Sequence, residues 1–283
     1  MGQTTRRNFL KTSALGIAAT SWVTGKERPR HGVPTGEEKL HSAFSLGVAS
    51  YTFREFSLED TMAMTKRLGL EKIALKSMHL PLESREAEII AVSEKVRNAG
   101  LDLYGCGVVY MTNEAEVDQA FNYARAAKMR IIIGVPNPEF LGLVSQKVKE
   151  YDIKLAIHNH GPEDKLFPTP ESAYEKIKNL DPRLGLCIDI GHTMRAGVDP
   201  ADAVIKFAGR LLDVHIKDVS AAAKDGQTVE MGRGVIDIPK FVRALIKINY
   251  QGTVAFEYEK DGQDPLPGLS ESVGYLRGIL AVI

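Results

Sequence analysis

The chain has 283 residues, 44% of them hydrophobic, and its 36 basic and 36 acidic side chains give a formal net charge of zero. This composition is typical of a globular protein with one sizeable core or two small domains. Zero net charge, without runs that mix basic and aromatic residues, argues against nucleic acid as a partner. Cys106 and Cys187 lie far apart in strand-like segments, so we expect them to be buried as small hydrophobic side chains and not joined in a disulfide.

The N-terminal segment has its own pattern. Arg6-Arg7 is followed by Phe9-Leu10-Lys11 and a mildly apolar stretch at 14–23, which resembles a twin-arginine export signal. The apolar stretch is shorter than the ~20 residues of a spanning helix, so no membrane anchor is expected after cleavage. We interpret residues 1–30 as a signal peptide and 31–42 as a linker, and we expect a periplasmic protein whose folded domain covers 43–283.

Short apolar segments alternate with helical patterns through the rest of the chain. Ser57 with Asp60, Thr169-Pro170 and Asp199-Pro200 are typical helix starts, and another helix is predicted at 239–248. Eight strands alternating with eight helices predict a single-domain α/β protein, a (β/α)8 TIM barrel. The main alternative is an open doubly wound sheet, but no Gly-x-Gly-x-x-Gly turn follows the first strand. The predicted strands are 46–53, 71–77, 101–110, 130–136, 153–160, 184–192, 211–218 and 252–259.

Four of the late strands carry polar residues near their C-terminal ends. Alternation along each strand places an apolar face on one side and, on the other, His158, Asp189, His215 or Glu257. Because TIM-barrel active sites lie at this end of the strands, we expect the four side chains to converge. Two imidazoles and two carboxylates suit a divalent metal, Mn²⁺, Zn²⁺ or Co²⁺ rather than Mg²⁺. The alternative is that each residue only satisfies local hydrogen bonds.

The segments "CIDIGH", "VHIKD" and "VAFEYE" on the last three strands resemble the xylose isomerase-like TIM barrels, a family of sugar isomerases and epimerases. The resemblance covers 45–283 and implies that Asp189, His215 and Glu257 bind the metal. It also implies that His192 contacts substrate hydroxyls. Arg233, in "GRGVIDIP", corresponds to a segment that lines the family's pocket, although a plain turn is an equal alternative.

The fifth strand departs from this family. Many members have Leu-x-Glu-Asn-His-Gly there, whereas this chain has "LAIHNHG", with His158 at the Glu position. In the epimerases that Glu and the strand-eight Glu exchange protons on opposite faces of a carbon. An imidazole can bind a metal or act as a base near neutral pH, so His158 could replace the Glu as a ligand. The departure puts a two-carboxylate epimerase mechanism in doubt.

Further residues are candidates for the same pocket. Glu257, or His160 if His158 is a ligand, would act as general base, and Lys217 would polarise a carbonyl or pair with Asp218. Lys76 at the end of the second strand and His79 in the next loop are candidate substrate-binding residues.

These observations favour a divalent-metal-dependent isomerase or epimerase that acts on a non-phosphorylated sugar or sugar derivative by enediolate-type proton transfer. The main alternative is a metal-dependent lyase or dehydratase acting on a keto-sugar or keto-glycoside. An endonuclease-type phosphodiesterase and a non-catalytic sugar-binding barrel are weaker alternatives. The expected partner is a small carbohydrate, and the oligomeric state is left open, with a homo-oligomer among the options.

Overall fold

The structure is a computed structural model that describes residues 44–283. Eight parallel strands form a closed barrel, in which consecutive strands are neighbours and the last strand pairs with the first. The prediction of a (β/α)8 TIM barrel is therefore confirmed, whereas the predicted signal peptide (1–30) and linker (31–42) lie outside the described residues. The barrel strands are β1 (Ser45–Ala49), β2 (Lys72–Leu75), β3 (Asp102–Met111), β4 (Ile131–Pro136), β5 (Lys154–His158), β6 (Leu184–Asp189), β7 (Leu211–Ile216) and β10 (Thr253–Phe256).

Helices follow the strands and cover the outside of the barrel. The predicted starts are confirmed, because Ser57, Thr169 and Asp199 each accept a hydrogen bond from a backbone N–H of the first turn. Instead of the expected eight, nine α-helices occur among residues 44–283, because the connection after β6 contains two short helices. The helices are α1 (Leu58–Arg67), α2 (Glu86–Asn98), α3 (Glu114–Ala126), α4 (Leu141–Tyr151), α5 (Pro170–Ile177), α6 (Ile190–Arg195), α7 (Pro200–Lys206), α8 (Ile238–Lys247) and α9 (Leu266–Leu280).

The barrel core consists of strand residues with almost no exposed surface. Ile132, Leu155 and Phe256 are at most 1% exposed, and both cysteines are buried and unpaired, as expected. Strand register brings the polar strand ends to one level: Asp189 pairs with His215. Among residues 44–283, no helix combines the length and apolar character needed to cross a bilayer.

A short hairpin interrupts the connection between β7 and α8. Its strands β8 (Asp218–Val219) and β9 (Thr228–Val229) are antiparallel and two residues long. The Asp218 carboxylate is 1% exposed and accepts hydrogen bonds from the backbone N–H groups of Val219, Gly232, Gly234 and Ile236. One buried side chain thus fixes both the hairpin and the loop that follows it.

Candidate active site

Four side chains of the metal-binding type meet at the C-terminal end of the barrel. His158 ends β5, Asp189 ends β6, His215 lies in β7 and Glu257 follows β10, and none is more than 6% exposed. One ligand atom of each lies within 4.8 Å of those of the others. His158 Nε2 is 3.1 Å from His215 Nδ1, which is 3.2 Å from Glu257 Oε2. We call these residues the four-residue cluster.

Lys217 provides the positive charge beside this cluster. Its ammonium forms ion pairs with Asp189 Oδ2 at 3.0 Å, with Glu257 Oε2 at 2.9 Å and with Glu259. Burial by itself would raise the pKa of both cluster carboxyls, but Lys217 holds the pKa of each below its usual range. Burial would likewise lower the pKa of Lys217, but the carboxylates hold it well above its usual value. Lys217 therefore stays charged and pairs with these carboxylates instead of Asp218.

The histidines of the site differ in their expected protonation. Burial lowers the pKa of His158 well below its usual value, and it lowers the pKa of His160 and His192 as well. Burial would do the same to His215, but Glu257 raises its pKa instead. At neutral pH, His158, His160 and His192 are therefore neutral and can accept a proton or offer a lone pair.

The spacing in the "DIGH" segment has a structural reason. Asp189 is the N-cap of α6, and its Oδ1 accepts a hydrogen bond from His192 N at 2.8 Å, while Oδ2 faces the cluster. Asn159 fixes the same turn, because its Oδ1 accepts from Asp189 N at 3.1 Å. A side chain at Gly191 would come within 2.5 Å of Lys217 Cγ, so only glycine leaves room for the lysine stem.

His160 lies above the cluster and has two polar neighbours. Its Nδ1 is 3.2 Å from Asp164 Oδ2, and its Nε2 is 3.3 Å from the Tyr110 hydroxyl. The His160 and His158 ring centroids are 4.4 Å apart. The predicted base thus lies beside the cluster.

A cavity of about 280 Å³ opens over the cluster, and we call it the mouth cavity. Lys76 lines it as expected, and its Nζ donates a hydrogen bond to Val108 O at 2.6 Å. Burial lowers the pKa of Lys76. Sequence reasoning missed Glu259 as a site residue, although its position two residues after Glu257 could have indicated it. The lining residues are Tyr51, Lys76, Val108, Tyr110, His158, His160, His192, Glu257 and Glu259.

Two predicted substrate-binding residues lie away from this cavity. His79 is 7% exposed, and its ring nitrogens contact Ser50 Oγ at 2.9 Å and Thr61 Oγ1 at 3.0 Å, so its hydrogen-bonding capacity is used inside the fold. Arg233 is exposed and forms a two-point ion pair with Glu271. The structure brings neither residue to the four-residue cluster.

The donor atoms of the cluster fit a divalent cation. The donor atoms lie within 4.8 Å of one another, and two bonds of ~2.1 Å from zinc to nitrogen or oxygen span about 4.2 Å, so small side-chain shifts would bring them within bonding distance of one ion. Imidazole and carboxylate donors together suit Mn²⁺, Co²⁺ or Zn²⁺. The Lys217 ammonium already lies within 3.0 Å of Asp189 Oδ2 and Glu257 Oε2, so these two oxygens attract a positive charge.

Comparison with known proteins agrees with this architecture. The model of the xylose isomerase-like TIM barrel family matches residues 139–279. An inosose dehydratase of Geobacillus kaustophilus is 26% identical in an alignment 272 residues long, and 87% of this chain and 87% of that protein are covered. A rhizopine catabolism protein of Rhizobium meliloti is 27% identical over 147 residues, so the match spans only 45% of that protein and 47% of this chain.

Solved structures share the fold at low sequence identity. An L-ribulose 3-epimerase superposes with a TM-score of 0.68 and 17% identity, covering 84% of this chain and 95% of that one. A 3-keto-D-glucoside 4-epimerase from E. coli gives a TM-score of 0.67 and 15% identity, with 83% and 99% covered. Identities this low show a common fold and nothing about the reaction.

Proposed function

Because this chain is a xylose isomerase-like TIM barrel, we propose that it is a divalent-metal-dependent isomerase or epimerase of a non-phosphorylated sugar or sugar derivative. The observation that carries the proposal is the convergence of the four-residue cluster at the barrel mouth. Sugar epimerases occur among the solved structures that share this fold, so the barrel is compatible with such a reaction. The choice of an unphosphorylated substrate depends on the predicted export signal, since phosphorylated sugars belong to the cytoplasm.

The four-residue cluster would hold the cation through His158 Nε2, Asp189 Oδ2, His215 Nδ1 and Glu257 Oε2. A bound divalent cation would polarise a carbonyl oxygen and an adjacent hydroxyl of the sugar, which acidifies the neighbouring C–H bond. Lys217 would balance part of the negative charge of the carboxylates, and Lys76, His192 and the tyrosines of the mouth cavity would orient the sugar.

We assign proton transfer to His160. Its lowered pKa leaves the imidazole neutral at pH 7, and Asp164 Oδ2 and the Tyr110 hydroxyl lie 3.2 Å and 3.3 Å from its two ring nitrogens. Glu257 is the weaker candidate, because Lys217 and His215 hold its pKa well below the usual value and so reduce its basicity. His160 would remove the proton next to the carbonyl and return it to another carbon, whereas return to the opposite face, as in epimerisation, would need Glu257 as a second acid–base group.

A dehydratase is the second candidate, supported by His158 in place of the family's carboxylate and by the inosose dehydratases among the relatives. Here the base takes the α-proton, and the C–H electron pair forms a C=C bond as the β C–O bond breaks. The departing hydroxide takes up a proton and leaves as water. One well-placed histidine suffices for this reaction, whereas proton exchange on two faces needs a second acid–base group.

Incubation with keto-sugars and inososes in D₂O, with Mn²⁺ added, distinguishes these reactions. An isomerase or epimerase gives an isomer of the substrate in which deuterium replaces a carbon-bound hydrogen. A dehydratase gives a product that has lost one molecule of water. A panel that yields neither product, with metal bound, would contradict both proposals.

Metal binding is tested separately by equilibrium dialysis of chelator-treated protein against Mn²⁺, Co²⁺ and Zn²⁺. We expect one ion per chain, lost in His158→Ala and retained in His192→Gln, whose side chain lies outside the four-residue cluster. Retained metal in His158→Ala would remove this histidine from the ligand set.

A further inference from the structure

A second cavity lies beside the mouth cavity and carries none of the four-residue cluster. Its volume is about 480 Å³, larger than the roughly 280 Å³ of the mouth cavity, and the two share His192 and Glu259 as lining residues. We call it the side cavity. Its lining residues are Gly191, His192, Arg195, Lys217, Val219, Gly226, Gln227, Thr228, Val229, Glu259 and Lys260.

The hairpin β8–β9 builds one wall of the side cavity. Ser220 N donates to Gln227 O at 2.9 Å, and Gln227 N donates to Ser220 Oγ at 3.0 Å. These two hydrogen bonds join the ends of the hairpin strands. Asp218 anchors its base through four backbone hydrogen bonds. The wall is therefore a built part of the barrel mouth.

We propose that the side cavity is a subsite for the second unit of a keto-glycoside, whose carbonyl-bearing ring occupies the mouth cavity. This inference rests on the proposed function and names the class of its substrate. The mouth cavity is at the lower limit of small-molecule sites, which begin near ~300 Å³, so it suits one sugar ring. A group attached to that ring would pass between His192 and Glu259 into the side cavity.

The polar lining of the side cavity defines the chemistry of this second unit. Arg195, Gln227 and Thr228 present hydrogen-bonding groups, and no phenylalanine, tyrosine or tryptophan occurs among the lining residues that the structure describes. The positive charges are already paired, since Arg195 contacts Glu163 at 2.7 Å and Lys260 contacts Glu230 at 2.7 Å. The subsite therefore favours a neutral, hydroxylated ring over an anionic group or a flat aromatic one.

Three probes with the same keto-ring test the subsite: 3-keto-D-glucose, methyl 3-keto-α-D-glucoside and 3-ketotrehalose. With Mn²⁺ present, 3-ketotrehalose should bind about tenfold more tightly by calorimetry than the methyl glycoside, which matches one or two added hydrogen bonds. Equal affinities would overturn the subsite. Tighter binding of 3-ketotrehalose without turnover of any probe would support the subsite and count against the proposed function alone.

Three variants test whether the preference for 3-ketotrehalose arises in the side cavity. Gln227→Trp places a large ring in the side cavity and should reduce the preference for 3-ketotrehalose to less than about twofold, since the added hydrogen bonds are lost. Gln146→Trp makes the same exchange at an exposed position of α4 and should leave the preference unchanged. Thr228→Trp repeats the test from the next position of β9. A preference that survives both hairpin substitutions would overturn the assignment.

Discussion

Asp218→Ala should be among the most destabilising single substitutions outside the four-residue cluster. Asp218 Oδ2 accepts from Gly232 N at 2.9 Å and Gly234 N at 3.0 Å, and Oδ1 accepts from Ile236 N at 3.2 Å. Each of these three long-range bonds has a charged acceptor, but two of them end on partly exposed backbone that water can reach. A net loss of about 1 kcal/mol for each bond gives a decrease of ~3 kcal/mol in the free energy of unfolding.

Thermal unfolding with a matched control checks this value. A loss of ~3 kcal/mol corresponds to a decrease in Tm of about 6–12 °C for a domain of this size. Asp237→Ala removes only the N-cap of α8, where Asp237 accepts from Lys240 N at 2.8 Å, and should cost ~1 kcal/mol. Asp218→Asn should resemble Asp218→Ala, because an amide group would face two backbone N–H donors. Equal effects of Asp218→Ala and Asp237→Ala would refute the reasoning.

Three further predictions concern charge and burial. Lys217→Met removes the ammonium beside the cluster carboxylates, so Mn²⁺ should raise the Tm of this variant more than that of the parent, and an equal increase would exclude competition between Lys217 and the ion. Burial raises the pKa of the Cys106 thiol to about 12, and Cys187 is equally buried. Iodoacetamide at pH 8 should therefore modify neither cysteine until the protein unfolds. Modification of the native protein would contradict their burial. A hydrogen bond from Lys260 lowers the pKa of Glu230 to about 2 from 4.5, so its stabilising contribution is present above pH 4.5 and is lost as the pH falls toward 2. Glu230→Gln should therefore flatten the acid side of the stability profile, and an unchanged profile would show that this pair contributes nothing.

The sequence by itself determined the barrel and the four-residue cluster. Both depend on short-range regularities: apolar runs that end in polar residues, capping residues such as Ser57 and Thr169, and strict alternation along each strand. In a parallel barrel these local patterns determine where residues lie in three dimensions, because the C-terminal ends of all strands are on the same side of the barrel. The proximity of His158, Asp189, His215 and Glu257 therefore follows from the sequence alone.

Only the tertiary structure decided how the remaining polar residues are used. His79 follows a strand end as Lys76 does, yet its ring is used by Ser50 and Thr61 inside the fold. Arg233 lies in a glycine-rich loop that Asp218 folds, and its side chain pairs outward with Glu271. Such partners lie far away in sequence, and no local pattern encodes which of them a side chain will meet.

The side cavity is likewise a result of the tertiary structure. It forms where α6, the hairpin β8–β9 and the residues after β10 come together, so its volume depends on the packing of segments up to about 70 residues apart. Strand alternation fixes which residues face the barrel mouth, because that direction is a property of each strand alone. The space between those residues is a property of the packed chain, and only the structure shows that a second cavity lies beside the mouth cavity.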